Sequence, residues 1–188
     1  MDLVRRTMER YVPLTDAEWA RVAPYWRQRR FERGAVITDV GQVENWFSIV
    51  QEGVQRIHVP HDGDEVCVGF AYGHSWSGVF DSFVSRRPSR FVLQAVTASV
   101  LLSIHHDDLR ALRDGMPVLE RFGRLILEEV VVGRASREIE LLTLTAEERY
   151  RALLQRSPHL LQLVPQKDIA SYLRMTPETF SRLRGKVR

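Results

Sequence analysis

The last two dozen residues constrain this chain more than any other stretch. From Gln166 to Arg184 the sequence reads as two short helices joined by a tight turn. Ile169, Ala170 and Leu173 share one buried helical stripe, and Ala170 is small where a crossing helix must come close. The turn falls at Arg174-Met175. Thr176 is then a good N-cap, and Pro177 suits the first helical position because its missing N–H would lack a partner there anyway. Glu178 sits near the positive end of the helix dipole. At about 100° per residue, Phe180, Leu183 and Val187 fall on one face of the second helix, and Glu178, Ser181, Arg182 and Gly185 on the other. The spacing predicts that the apolar face buries and the polar face stays exposed. Arg can fork onto guanine and Glu can accept from the cytosine amino group, so such a ridge suits base edges in a major groove. The alternative is a solvated helix with an i, i+4 ion pair. Cap, turn and small alanine in register favour a helix-turn-helix. The turn usually holds a left-handed glycine; here it holds Arg174, at a cost of about 1 kcal/mol.

Charge gathers at the same end. Residues 145–188 hold nine Lys/Arg against four Asp/Glu, an excess of +5 where the whole chain carries +3. Phosphate contact needs such a bias. With 188 residues and 44% apolar composition, a real core is available, in one large domain or a medium one plus a small one. A single cysteine, Cys67, excludes an internal disulfide and a cysteine-ligated iron–sulfur cluster built from one chain. It reads as a buried thiol and fits a reducing compartment. No run is long and apolar enough to span a membrane, and the N-terminus carries no signal-peptide pattern, so a cytoplasmic protein is expected.

Residues 1–30 are helical in pattern, with a capping box at Thr15-Asp-Ala-Glu18 and apolar Trp19, Val22, Ala23 and Trp26 behind it. From Arg30 short strand-like runs follow: Ala35–Ile37, Trp46–Val50, Val54–Val59, Val66–Phe70, Phe91–Leu93 and Ser99–Ile104. Turn signals at Glu52-Gly53 and His61-Asp-Gly-Asp64 separate them. Many short strands at regular spacing predict a small antiparallel barrel or roll. His105-His-Asp-Asp108 starts a short helix that ends at Gly115. A long helix follows from about Pro117 to Leu142, in which Leu119, Phe122, Ile126, Val130 and Gly133 mark a stripe broad enough for a coiled-coil-like seam. Packing on a second copy is favoured, because two-fold symmetry is also what paired DNA half-sites demand; packing on the roll is the alternative. A second capping box at Thr145-Ala-Glu-Glu148 opens another helix, and Ser157-Pro158 breaks the chain.

A β-roll, a long connecting helix and a terminal helix-turn-helix in this order resemble the Crp/Fnr family of bacterial transcription regulators. The closest motifs are Val164–Leu173 and Thr176-Pro-Glu-Thr-Phe-Ser-Arg182. The resemblance implies an α+β fold. Residues 1–115 would form an antiparallel, cupin-like and cyclic-nucleotide-binding-like roll acting as sensor, 116–142 a dimerisation helix, and 143–188 a DNA-binding domain without wing strands. It implies base contact by Glu178, Ser181 and Arg182, which match a Glu-x-x-Ser-Arg pattern. Gln166, Lys167 and Thr179 would lie near phosphates, with Thr176 at the cap between them. Double-stranded DNA and a second copy of the chain are the implied partners; RNA polymerase and a small-molecule effector are further candidates.

The ligand site departs from the family pattern. Cyclic-nucleotide binders follow the roll's glycine with Glu and later use Arg-Ser or Arg-Thr. Here Gly73 precedes His74-Ser-Trp-Ser-Gly78, and Ser89-Arg90 stands where Arg-Ser belongs. A one-residue displacement in a strand points a side chain to the other face. Cyclic AMP is therefore not expected. Two alternatives stay open: another anionic or aromatic effector on His74, Trp76, Arg87, Ser89 and Arg90, or an empty pocket. His58, His61 and the pair His105-His106 show no metal-ligand spacing. No nucleophile–base pair or phosphate loop points to an enzyme. A competing function is a small-molecule sensor whose helix-turn-helix docks onto protein.

Overall fold

A computed structural model describes residues 1–186; Val187, expected on the buried face of the last helix, lies outside the described residues. The chain opens with helices α1 (Asp2–Glu9) and α2 (Asp16–Val22). The Thr15–Glu18 capping box closes reciprocally at the start of α2, as its spacing predicts. A 3-10 turn over 23–25 leads into strand β1 (Arg27–Phe31), so the strands begin before Arg30. An arginine-rich run carries no strand signal of its own. Arg29 lies over the Trp46 ring at 4.5 Å and the Phe31 ring at 4.9 Å, which gives this polar edge strand a surface to pack on.

The roll is completed by β2 (Val36–Thr38), β3 (Trp46–Glu52), β4 (Val54–His61), β5 (Asp64–Tyr72), β6 (Trp76–Ser77), β7 (Val92–Ala95) and β8 (Ser99–His105), with the short helix α3 (Phe80–Ser85) between β6 and β7. The strands form two antiparallel sheets, ordered β1-β8-β3-β6 and β2-β7-β4-β5. The β3–β4 turn requires glycine. Gly53 has φ +90°, and a Cβ there would stand 2.5 Å from the Ala98 carbonyl oxygen. At the β4–β5 turn Asp62 and Gly63 both have positive φ, which is the two-residue hairpin turn an Asp-Gly pair favours.

Both faces of the first sheet are covered, which explains why β3 and β8 read as continuous apolar runs. Phe47, Ile49, Leu102 and Ile104 join a core with Val4, Met8 and Trp26. On the opposite face Val50 and Leu101 fill the interior of the roll with Ala71, and the Ser48 and Ser103 hydroxyls meet at 2.8 Å.

Helix α4 (His106–Asp114) starts on the His105 ring nitrogen and is capped by Gly115. Helix α5 runs from Pro117 to Thr143. Its first half corrects the stripe read from the sequence. Leu119, Phe122 and Ile126 are fully buried in the core between the helices and the first sheet, and Val130 packs against that core, so these positions serve the chain's own fold. A different set, Leu127, Val131, Val132, Ile139 and Leu142, stays exposed. Apolar residues on two sides of one helix are what a single stripe count misses.

Helices α6 (Ala146–Arg156), α7 (Leu160–Leu163), α8 (Gln166–Tyr172) and α9 (Pro177–Lys186) complete the chain. Thr145 and Glu148 close the second capping box. These helices do not stand apart from the roll. Val54 lies in one core with Tyr150, Leu153, Leu160, Ile169 and Phe180, and Phe70 and Tyr72 pack against it. The outer face of the β4–β5 hairpin is thus covered by the C-terminal helices.

Candidate nucleic-acid interface

The turn between α8 and α9 is built by backbone hydrogen bonds around one left-handed residue. Arg174 has φ +56°. The Arg174 N–H donates to the Ser171 carbonyl and the Met175 N–H to the Ala170 carbonyl, each at 3.0 Å. This paired closure satisfies the last carbonyls of α8 and normally uses glycine. The Arg149 guanidinium also donates to the Leu173 carbonyl at 2.8 Å, tying the turn to α6. Arginine here stores about 1 kcal/mol of backbone strain. Arg174→Gly is therefore expected to raise unfolding stability by about 0.5–1 kcal/mol, part of the relief being lost to the more flexible unfolded chain. Urea denaturation of the two proteins checks this; a loss of stability would mean that the arginine side chain matters more than its backbone.

Helix α9 has the two faces its sequence predicts. The Thr176 hydroxyl accepts from the Thr179 N–H at 3.3 Å and caps the first turn. Phe180 and Leu183 are buried against Tyr150, whose ring meets Phe180 edge-on with centroids 5.6 Å apart. Glu178, Ser181 and Arg182 are exposed on the opposite side, and Thr179 is half-buried. Gln166 and Lys167 are exposed in the first turn of α8. The structure therefore gathers these seven residues on α8, α9 and the turn between them, with the three base-reading candidates free of any packing role.

The five residues proposed for an effector are not gathered. Trp76 belongs to the core around Phe122 and donates from Nε1 to the Tyr11 hydroxyl at 3.0 Å. Ser89 is buried and bonds the backbone of Phe91. His74 and Arg87 are exposed, and Arg90 reaches Asp81 at 3.6 Å on the surface. A groove of about 970 Å³ lies instead between β5 and α5, lined by Phe70, Val79, Phe91, Val130 and Arg134 among others, and none of the five lines it. Turn composition around Gly73 and Ser89 is the same whether these side chains face inward or outward, so sequence alone could not separate the cases. Among the described residues no group of three His, Cys, Asp or Glu is placed to hold a metal. Burial pushes the Cys67 thiol up to about 12, so it stays protonated, as a lone buried cysteine should.

One cluster was not anticipated. Arg56, on the outer face of β4, is 8% exposed and donates to Asp168 of α8 at 2.7 Å and to Glu65 of β5 at 2.6 Å. It also donates to the Gln94 side chain of β7 at 2.7 Å. The Ser171 hydroxyl of α8 accepts from the Cys67 N–H of β5 at 2.9 Å. His58 is buried beside them with neither ring nitrogen hydrogen-bonded, and burial followed by the Arg56 charge lowers its pKa. The alternation of β4 in sequence suggests solvent for Arg56 and His58; only long-range docking of α8 reveals otherwise.

No family model matches the chain. A curated relative, the fumarate and nitrate reduction regulatory protein of Yersinia pestis, is 27% identical over 172 residues, spanning 85% of this chain and 68% of the relative. The solved structure of FixK2 from Bradyrhizobium japonicum superposes with TM-score 0.72 at 16% identity, covering 86% of this chain and 84% of that one. The regulator CLP of Xanthomonas campestris, described as c-di-GMP responsive, superposes with TM-score 0.65 at 18% identity over 92% and 91% of the two chains. The chain resembles Crp/Fnr regulators in sequence and in fold. The match runs through roll, long helix and helix-turn-helix together, and the antiparallel sheets with the long α5 are those of a Crp/Fnr α+β fold. The Yersinia relative is described as a regulatory protein and CLP as a global regulator. No helix among the described residues is long and apolar enough to cross a membrane.

Proposed function

We propose that this chain is a cytoplasmic, DNA-binding transcription regulator that acts as a homodimer on paired half-sites. Residues 1–115 serve as sensor roll, 116–142 as connecting helix and 143–188 as reader. The observation that carries the reading is α9 itself: Phe180 and Leu183 anchor it while Glu178, Ser181 and Arg182 stand exposed at i, i+3 and i+4. Gln166, Lys167, Thr176 and Thr179 position the helix on phosphates, and the three exposed residues read base edges. RNA polymerase is the downstream partner on this reading. A small-molecule effector would enter the groove of about 970 Å³ between β5 and α5.

Selection of bound duplexes from a random pool tests the function directly. Enrichment of a two-fold symmetric site with half-sites about one helical turn apart is expected. Arg182→Ala should then lose preference at one base pair of each half-site, at a cost of about 1–3 kcal/mol. Uniform weakening across all sequences would mean that α9 touches only the backbone.

A further inference from the structure

The β4–β5 hairpin reaches the helix-turn-helix at the end assigned to DNA phosphates. A cleft of about 790 Å³ separates the two, with Asp64 and Glu65 on the hairpin side and Lys167, Thr176 and Pro177 on the other. Lys167 and Thr176 are two of the residues proposed above to meet the backbone. The hairpin cannot drift freely from this position. Arg56 joins Glu65 of the hairpin to Asp168, the residue after Lys167, and Ser171 is bonded to the backbone of β5. Glu65 stays ionised: burial alone would raise its pKa, but the Arg56 hydrogen bond and charge, helped by His58 and Lys167, bring it below the usual range. Duplex DNA carries one negative charge per about 1.7 Å of its axis. A strand laid against Lys167 and Thr176 therefore runs beside two carboxylates.

We infer that the β4–β5 hairpin is an autoinhibitory gate, whose Asp64 and Glu65 occupy the phosphate-facing end of the helix-turn-helix and oppose the DNA backbone until the hairpin moves aside. The gate rests on the proposed DNA-binding function and adds a means of regulating it within one chain. Anything that shifts β4 or β5 relative to α8 alters affinity without touching α9. The lining of the neighbouring groove includes Val66, Phe70 and Tyr172, so that groove shares β5 and α8 with the gate.

The test compares two double variants of equal charge change with one single variant. Asp64→Asn/Glu65→Gln removes the hairpin carboxylates. Asp64→Asn alone leaves the Arg56 contacts intact, and Asp2→Asn/Asp16→Asn removes two exposed carboxylates from α1 and α2, which pack on the other core. Affinities for a selected duplex are read by fluorescence anisotropy at low and moderate salt. The hairpin double variant is expected to bind about tenfold tighter than the unmodified protein and Asp64→Asn about threefold, while the control pair gains less than about twofold, its charges being screened beyond a Debye length. Gains no larger in the two hairpin variants than in the control pair, or a loss in the hairpin variants, overturn the gate and leave the DNA-binding function standing. No binding to any duplex by any of the four overturns that function, and the gate with it.

Discussion

Arg56→Met is expected to destabilise the protein by about 3–5 kcal/mol, because it strands the Asp168 carboxylate in a buried site without its partner. Asp168 is 6% exposed, and its hydrogen-bonded cation lies 2.7 Å away on another element of the chain. A single surface ion pair would be worth at most about 1 kcal/mol, so the size of the loss reports burial rather than attraction. The pair's net worth is a separate question. Arg56→Met/Asp168→Leu replaces both charges with apolar groups and should recover most of the stability, since an apolar pair of similar volume often matches a buried ion pair. Urea unfolding of the unmodified protein, Arg56→Met, Asp168→Leu and the double variant gives the cycle. Hydrogen exchange should place the loss of protection in α8 and β5 first, while β3 and β8 in the other core stay protected. If Arg56→Met alone loses less than about 0.5 kcal/mol, the docking of α8 onto the roll does not depend on this cluster.

The contrast between Arg56 and Arg174 shows what a sequence can disclose. Arg174 is local: a cap, a proline and a helical stripe on either side dictate a left-handed residue between them, and the structure has φ +56° at that position. The capping boxes at Thr15 and Thr145 are legible for the same reason, since each closes within three residues. Most strands and the boundaries of α5 follow from period and turn residues. Arg56 is not local. Its partner Asp168 lies 112 positions away, and nothing in the pattern of β4 distinguishes a solvent-facing arginine from one covered by a later helix. Helix α3 carries Phe80, Phe83 and Val84 at helical spacing, but its six residues are too short a run for that period to stand out in the sequence. The effector residues failed for a third reason: family spacing predicts a pocket only where the strands keep the family register, and Trp76 is used instead to stack on Phe47, at a centroid distance of 4.6 Å.

Substituting the exposed side of α5 should split a dimer without harming the fold, and this is the larger functional effect. Val131 and Val132 are each 65% exposed, Ile139 60% and Leu142 77%, all in the half of the helix beyond the roll's core. Over its 27 residues α5 is roughly 40 Å long, so the exposed half offers about three turns to a partner. Monomers seldom leave so many branched side chains in water along one element, and a second copy meeting them across a two-fold axis would remove them from it. Symmetry doubles each substitution. Val131→Glu/Ile139→Glu places four carboxylates in one dimer seam, where burial of unpaired charge should weaken association by about 4 kcal/mol or more, roughly a thousandfold. Sedimentation velocity should show the unmodified protein as a dimer at micromolar concentration and the variant as a monomer with an unchanged circular dichroism spectrum. The opposite pattern, an intact dimer after substitution, would assign the two-fold contact to another surface. Loss of dimer should also cost the preference for symmetric sites over isolated half-sites, because two linked readers bind one duplex with an effective concentration that separate readers lack. A variant that is monomeric yet still prefers the symmetric site would show that the two readers can pair on DNA without the α5 contact.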